Sequence, residues 1–199
     1  MAGLREQKKA ETRKAIITAA IQLFSEKGFD KTSIEDIARV AGIGKATVYT
    51  YFSAKSDIFM YYCDDELEEA FSNLKKTRHE NVSLLDQLIE FFLLKFNFVT
   101  HNHEFGRQLL QEMVFPREVN EKAKEHNQRY FDFLEELFLA AQQRGVLADN
   151  QDLFLLSVHF YSLYLGVLAG WYGGYAETTE EIESAMRTLF SQVLEGVAR

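Results

Sequence analysis

The sequence predicts an all-α protein, and three observations carry that expectation. Apolar residues recur at three- and four-residue spacing through most of the 199 residues. The chain has one proline, Pro116, and few glycines, whereas an all-β chain needs many turn residues. With 47% hydrophobic and 26% charged residues, the composition is that of a globular protein rather than a disordered or fibrous one.

The first helix runs from Ala10 to Lys27, with Ile16, Ile17, Ala20, Ile21, Leu23 and Phe24 at helical spacing. Gly28 suits a left-handed stop. The second begins in Thr32-Ser33-Ile34-Glu35, a capping-box pattern, and places Ile34, Ile37, Ala38 and Ala41 on one face before Gly42 ends it. A third short helix runs from Lys45 to about Tyr51. Ser53 is expected to cap a fourth, from Ala54 towards Thr77.

Five more follow: Ser83–Thr100, Glu104–Phe115, Arg117–Arg144 after the break at Pro116, Gln151–Gly173, and Thr179–Val197. The expected architecture is therefore about nine helices. Residues 1–53 form a three-helix head, and a long helix joins it to a helical body at 54–199.

Charge separates the same two parts. The overall charge is −8, but residues 1–55 hold ten Lys/Arg against six Asp/Glu, a net of +4, so the rest carries −12. A basic head can bind phosphates while an acidic body discourages nonspecific adhesion. The lone Cys63 has no disulfide partner, which fits a reducing cytoplasm. Met1–Lys14 is polar and is not expected to be a secretory leader; Arg5, Lys8 and Lys9 read as a disordered, solvated arm. Leu153–Ala176 lacks Asp, Glu, Lys and Arg and is long enough to cross a bilayer. Its flanks are acidic rather than basic, which favours a helix buried on all sides.

Chemistry concentrates at Ile37–Phe52. A small Ala38 lets two helices cross closely, Gly42 permits a tight turn, and Val48 anchors the second helix to the first. Lys45, Ala46, Thr47, Tyr49 and Thr50 are then free to enter a DNA major groove. Lysine suits phosphates or guanine edges, threonine hydroxyls suit bases or phosphates, and methyl groups suit thymine. Lys55, beside the open N–H groups of the fourth helix, suits a phosphate.

The residues Ala19-Ala20, Phe24, Gly28-Phe29, Thr32-Ser33-Ile34, Ile37-Ala38, Ala41-Gly42-Ile43, Lys45, Thr47-Val48-Tyr49, Tyr51-Phe52, Lys55 and Asp57-Ile58 resemble the DNA-binding region of the TetR family of bacterial regulators. The likeness covers only about residues 10–60, and Gly44 stands where that family often has serine, which weakens a helix cap. The resemblance adds Thr32, Ser33 and Tyr51 to the DNA-binding set. It implies a dimeric repressor, released from a near-palindromic operator by a small molecule bound in the body. It carries over no effector identity.

In the body, Ser162, Gly166, Gly170 and Gly174 form a stripe of small residues that allows close helix approach. In the resembled family the last two helices build the dimer interface, so Met186, Leu189, Phe190 and Val193 join that stripe as expected interface residues. Packing within one subunit is the plainer use of the same pattern. Aromatic residues are dense, and an effector pocket would be apolar with a few polar handles. Phe92, Phe96, Met113, Tyr130, Leu134, His159 and Trp171 are its candidates, with His159 equally readable as a hydrogen-bonded core residue. His101, His103 and Glu104 lack a cysteine partner and read as solvent-exposed; no cofactor or metal is expected. No serine elbow or phosphate loop points to an enzyme. A helical carrier or enzyme with a non-functional head is the competing class.

Overall fold

The computed structural model describes residues 2–77, 82–101, 103–114 and 121–197. Among them lie nine helices: α1 (Ala2–Lys27), α2 (Ile34–Val40), α3 (Lys45–Tyr49), α4 (Lys55–Thr77), α5 (Leu84–Thr100), α6 (His103–Val114), α7 (Glu121–Gln143), α8 (Leu153–Tyr172) and α9 (Thr179–Val197). No strand occurs among the described residues. The break expected at Pro116 falls outside them.

Two units form. The first comprises Met1–Ser72 with Val99–His126, the second Asn73–Phe98 with Asn127–Arg199. The chain thus first leaves unit 1 at Ser72/Asn73 rather than at the expected 53/54. The reason is that the first half of α4 is core: Ile58, Phe59, Met60 and Cys63 are buried, and Phe59 meets Phe24 and Phe29 of the head and Phe105 of α6, the last at 4.7 Å.

In unit 1 the apolar stripe of α1 (Ile16, Ala19, Ala20, Leu23, Phe24) packs with α2, where Ile34, Ile37 and Ala38 are buried, and α2 packs in turn on α3, where Val48 is buried. Each large side chain withdrawn from water there contributes on the order of 1.5–3 kcal/mol. Gly28 adopts φ +88 and Gly42 φ +69, left-handed values that glycine reaches without a Cβ penalty. α1 begins at Ala2, so Arg5, Lys8 and Lys9 stand on exposed helical turns rather than in the irregular arm expected of them. Strong helix formers at 5–11 extend the helix without any packing partner. α2 is capped one residue later than the pattern suggested. Ser33 Oγ accepts from Asp36 N at 3.1 Å, and Asp36 Oδ2 accepts from Ser33 N at 3.1 Å.

Unit 2 is built from the end of α4, most of α5 and α7, and α8 and α9. Phe91 stacks on Phe133 at 4.8 Å, and Phe92, Phe160 and Phe190 form an edge-to-face cluster at 5.0–5.1 Å. Asp152 caps α8 by accepting from Leu155 N at 3.0 Å. α8 is long and apolar enough to cross a membrane, yet only 33% of its most apolar stretch is buried. It packs on α9, with Phe160 against Phe190, and Tyr164 and Leu168 are buried, while Leu155, His159, Ser162, Gly166 and Ala169 are exposed along one strip. The expectation of burial on all sides is therefore corrected: an all-apolar helix does not reveal from its sequence which face its own chain covers.

Candidate nucleic-acid interface and effector site

The α2–turn–α3 unit owes its shape to three local choices. Buried Ala38 leaves room for Val48, which is fully buried. The turn closes with Ile43 N donating to Ala38 O at 3.0 Å. Gly44 stands at the N-cap of α3 and supplies no side-chain hydrogen bond, the weakness its identity implied. On the outer side Lys45, Ala46 and Thr50 are exposed, Tyr49 is 50% exposed, and Thr47 and Tyr51 are half-buried.

The electrostatics of that surface are partly satisfied from within. Lys45 pairs with Glu35, and the pairing lowers the Glu35 carboxyl and raises the Lys45 ammonium from their ordinary values. A phosphate or base edge that engages Lys45 must therefore displace Glu35. Lys45 also lies 5.9 Å from the centre of the Tyr49 ring. Thr50 Oγ1 donates to Thr47 O at 2.6 Å, so its hydroxyl meets an incoming ligand as an acceptor. Asp36 is held far below the usual carboxylate range by hydrogen bonds from Lys27, Ser33 and Arg39.

Two expected contacts are corrected by the geometry. Thr32 is buried, and its hydroxyl donates inward to Gly28 O at 2.8 Å and lies 3.3 Å from Leu23 O. It fixes the α1–α2 connection, and its neighbour Ser33 is the exposed one. The Lys55 ammonium is turned towards the α1–α2 connection rather than outward. It donates to Phe29 O and, at 2.9 Å, to Thr32 O, and lies 4.1 Å over the Phe29 ring. A phosphate that engages Lys55 must therefore draw it from those carbonyls, and the N–H groups of Ser53 and Ala54 are taken by Asp57 Oδ2 at 3.1 and 3.0 Å, in place of the expected Ser53 side-chain cap.

In unit 2 the structure gathers Phe92, Phe96, Tyr130 and Leu134 in the interior, with Trp171 half-buried and edge-on to Phe96 at 5.2 Å. The Met113 side chain lies outside the described residues. His159 does not join them; it is exposed on the outer strip of α8. Of the expected interface set, Ser162, Gly166 and Gly174 are exposed and Gly170, Leu189 and Val193 half-buried. Met186 and Phe190 are fully buried in their own chain, Phe190 against Phe92 and Phe160. Helical periodicity marks a face as buried without saying whose surface covers it, which is why those two were misassigned. His101 and His103 are exposed.

Lys95 was not singled out by the sequence reading. It is 3% exposed, its Nζ has no hydrogen-bond partner, and it lies 3.3 Å from the ring centre of Tyr130. Burial pushes its amine well below the ordinary lysine value. The signal was present: Lys95 falls in helical register with Leu88, Phe91 and Phe92, where solvent cannot reach it. In unit 1, His126 Nδ1 lies 2.7 Å from Asp64 Oδ1, both buried, a pairing between α7 and α4 that also went unread.

Residues 16–61 match the pattern of bacterial regulatory proteins of the tetR family. The biofilm operon icaADBC HTH-type negative transcriptional regulator IcaR of Staphylococcus epidermidis is 30% identical over 158 residues, which cover 79% of this chain and 80% of that one. Among solved structures, Thermus thermophilus FadR, a TetR-family repressor in complex with lauroyl-CoA, superposes with TM-score 0.75 at 21% identity, covering 89% of this chain and 93% of that one. Bacillus subtilis FadR in complex with stearoyl-CoA superposes with TM-score 0.67 at 19% identity, covering 92% and 98%.

Proposed function

The chain belongs to the tetR family of bacterial regulatory proteins, and from that membership we propose that it works as a homodimeric repressor of transcription. It is a ligand-responsive DNA-binding regulator; its action as a repressor released by its effector is the further step proposed here. The observation that carries the reading is α3, whose Lys45, Ala46, Tyr49 and Thr50 project from a base locked by Ala38 and Val48. Ser33, Thr47 and Tyr51 flank that surface.

A two-fold dimer presents two such helices about 34 Å apart to a near-palindromic operator. The uncharged outer strip of α8, with Ser162, Gly166 and Gly170, and the half-buried Leu189 and Val193 of α9 supply the dimer contact in this reading. Unit 2, with Phe92, Phe96, Tyr130, Leu134 and Trp171, holds an apolar or aromatic effector, as the acyl-CoA complexes of the two FadR neighbours suggest. α4 contributes residues to both units, so an effector that shifts it alters head spacing. The protein acts in the cytoplasm. A carrier or enzyme reading lacks any comparable support from relatives.

A gel-shift titration with the promoter upstream of the protein's own gene, repeated at increasing salt, tests this. Sequence-specific, salt-sensitive retention is expected. A folded protein that retains no DNA overturns it.

A further inference from the structure

Lys95 sits in unit 2 with its Nζ 3.3 Å from the ring centre of Tyr130, 4.4 Å from Tyr161 and 5.5 Å from Tyr164. That Nζ has no hydrogen-bond partner, and the buried Tyr164 hydroxyl has none either. The Tyr161 hydroxyl is occupied, 3.4 Å from Asn127 Oδ1. Two donors on adjacent helices are thus held in an apolar interior without an acceptor. Such groups are expensive to bury, and a methionine would fill the same volume without that penalty. A hydrogen-bonded polar ligand relieves the penalty, and an anionic acceptor does so most strongly where the dielectric is low.

The donors also define what the missing partner is. A cationic ligand would find three tyrosine faces, the kind of cage that ammonium groups favour. Lys95 already occupies those faces, so a cationic ligand would first have to displace it. We infer that Lys95 and the Tyr164 hydroxyl form the head-group subsite of the effector site, and that the effector is an apolar molecule ending in a carboxylate. This rests on the reading of unit 2 as the effector-binding unit. The surrounding Phe92, which lies 5.1 Å from Tyr164, supplies apolar contact for the remainder of the ligand.

Isothermal titration of octanoate and 4-phenylbutyrate into the full-length protein tests the assignment, with octanol and octyltrimethylammonium as neutral and cationic controls. At least one acid binds the wild type. Lys95→Met weakens that acid by about 10- to 100-fold, the range a charge-assisted hydrogen bond supports, and leaves octanol nearly unchanged. Tyr164→Phe, which keeps the ring and should leave the fold intact, weakens the acid by a smaller factor of about 3- to 10-fold. The inference is overturned if neither acid binds at millimolar concentration, if Lys95→Met binds the acid unchanged, or if octyltrimethylammonium binds more tightly than both acids. Gel shifts run in parallel separate the two readings. Lys95-dependent acid binding without DNA retention leaves this subsite standing and removes the regulator; DNA retention without acid binding does the reverse.

Discussion

Replacing Lys95 with methionine should make the ligand-free protein more stable, against the usual direction for a core substitution. The amine is 3% exposed and makes no hydrogen bond. An unsatisfied buried polar group costs about 1–3 kcal/mol, and a charged one more. Against this stands the attraction of an ammonium to the tyrosine faces, about 2 kcal/mol or more when desolvated. Removing an ammonium from water costs several kcal/mol, so desolvation wins and the amine sheds its proton more readily than usual. Methionine keeps the unbranched shape and gains sulfur–aromatic contact of about 0.3–1.5 kcal/mol. The net expectation is a gain of about 1–3 kcal/mol at neutral pH, a Tm rise of roughly 3–9 °C for a chain of this size.

The pH dependence follows from the direction of the shift. The unfolded chain binds a proton at Lys95 up to the ordinary value of 10.5, and the folded chain releases it lower. Wild-type stability therefore rises with pH across that interval, and the advantage of Lys95→Met shrinks as pH approaches 10.5. Calorimetric melts of both proteins at pH 7 and pH 10 read this directly. A Tm that falls on substitution at pH 7, or a difference that grows with pH, would mean that the ammonium is charged and paired, and the argument would be refuted.

Three other outcomes are expected. Glu35→Gln frees Lys45 from its ion pair, so operator binding should tighten, whereas Lys45→Ala should weaken it and make the slope of log K against log salt shallower by about 0.9; an unchanged slope for Lys45→Ala in filter-binding titrations would leave Lys45 without a phosphate. Thr32→Val removes the inward hydroxyl that donates to Gly28 O and should destabilise the protein by about 1–2 kcal/mol in denaturant titrations while leaving operator sequence preference unchanged; altered preference would restore Thr32 as a DNA contact. A Cβ placed at Gly166 meets nothing within 4 Å in its own chain, so Gly166→Glu should keep its helical circular dichroism while sedimentation shows monomers; persistent dimers would remove the α8 strip as the interface.

Much of the fold could be read directly from residue order. Helix positions followed from apolar spacing, and the turn between α2 and α3 from Ala38, Gly42 and Val48, because these are local requirements of backbone and side-chain size. The shift from Thr32 to Ser33 as the cap of α2 arose because two adjacent hydroxyls both satisfy the pattern, and only the packing of Thr32 beneath Leu23 decided between them. His159 and Phe190 were read from apolar surroundings in sequence, but an apolar helix has no intrinsic inside. Contact with Phe190 of α9 and Phe92 of α5 turned Phe160 and Tyr164 inward and left His159 outside. Lys95 shows the opposite oversight, since tracing only apolar residues along α5 passed over the one cation on its buried face.

Local chemistry in the sequence was enough to determine that this chain forms helices, roughly where they lie, and that a helix-turn-helix occupies its basic head, since hydrogen-bond spacing and side-chain shape act within a few residues. Which face of each helix is covered, which hydroxyl or ammonium is turned inward, and hence where donors are left without acceptors, were decided only by tertiary packing. Burial depends on surfaces contributed by residues as distant along the chain as Lys95 and Tyr164, and no local pattern encodes that meeting.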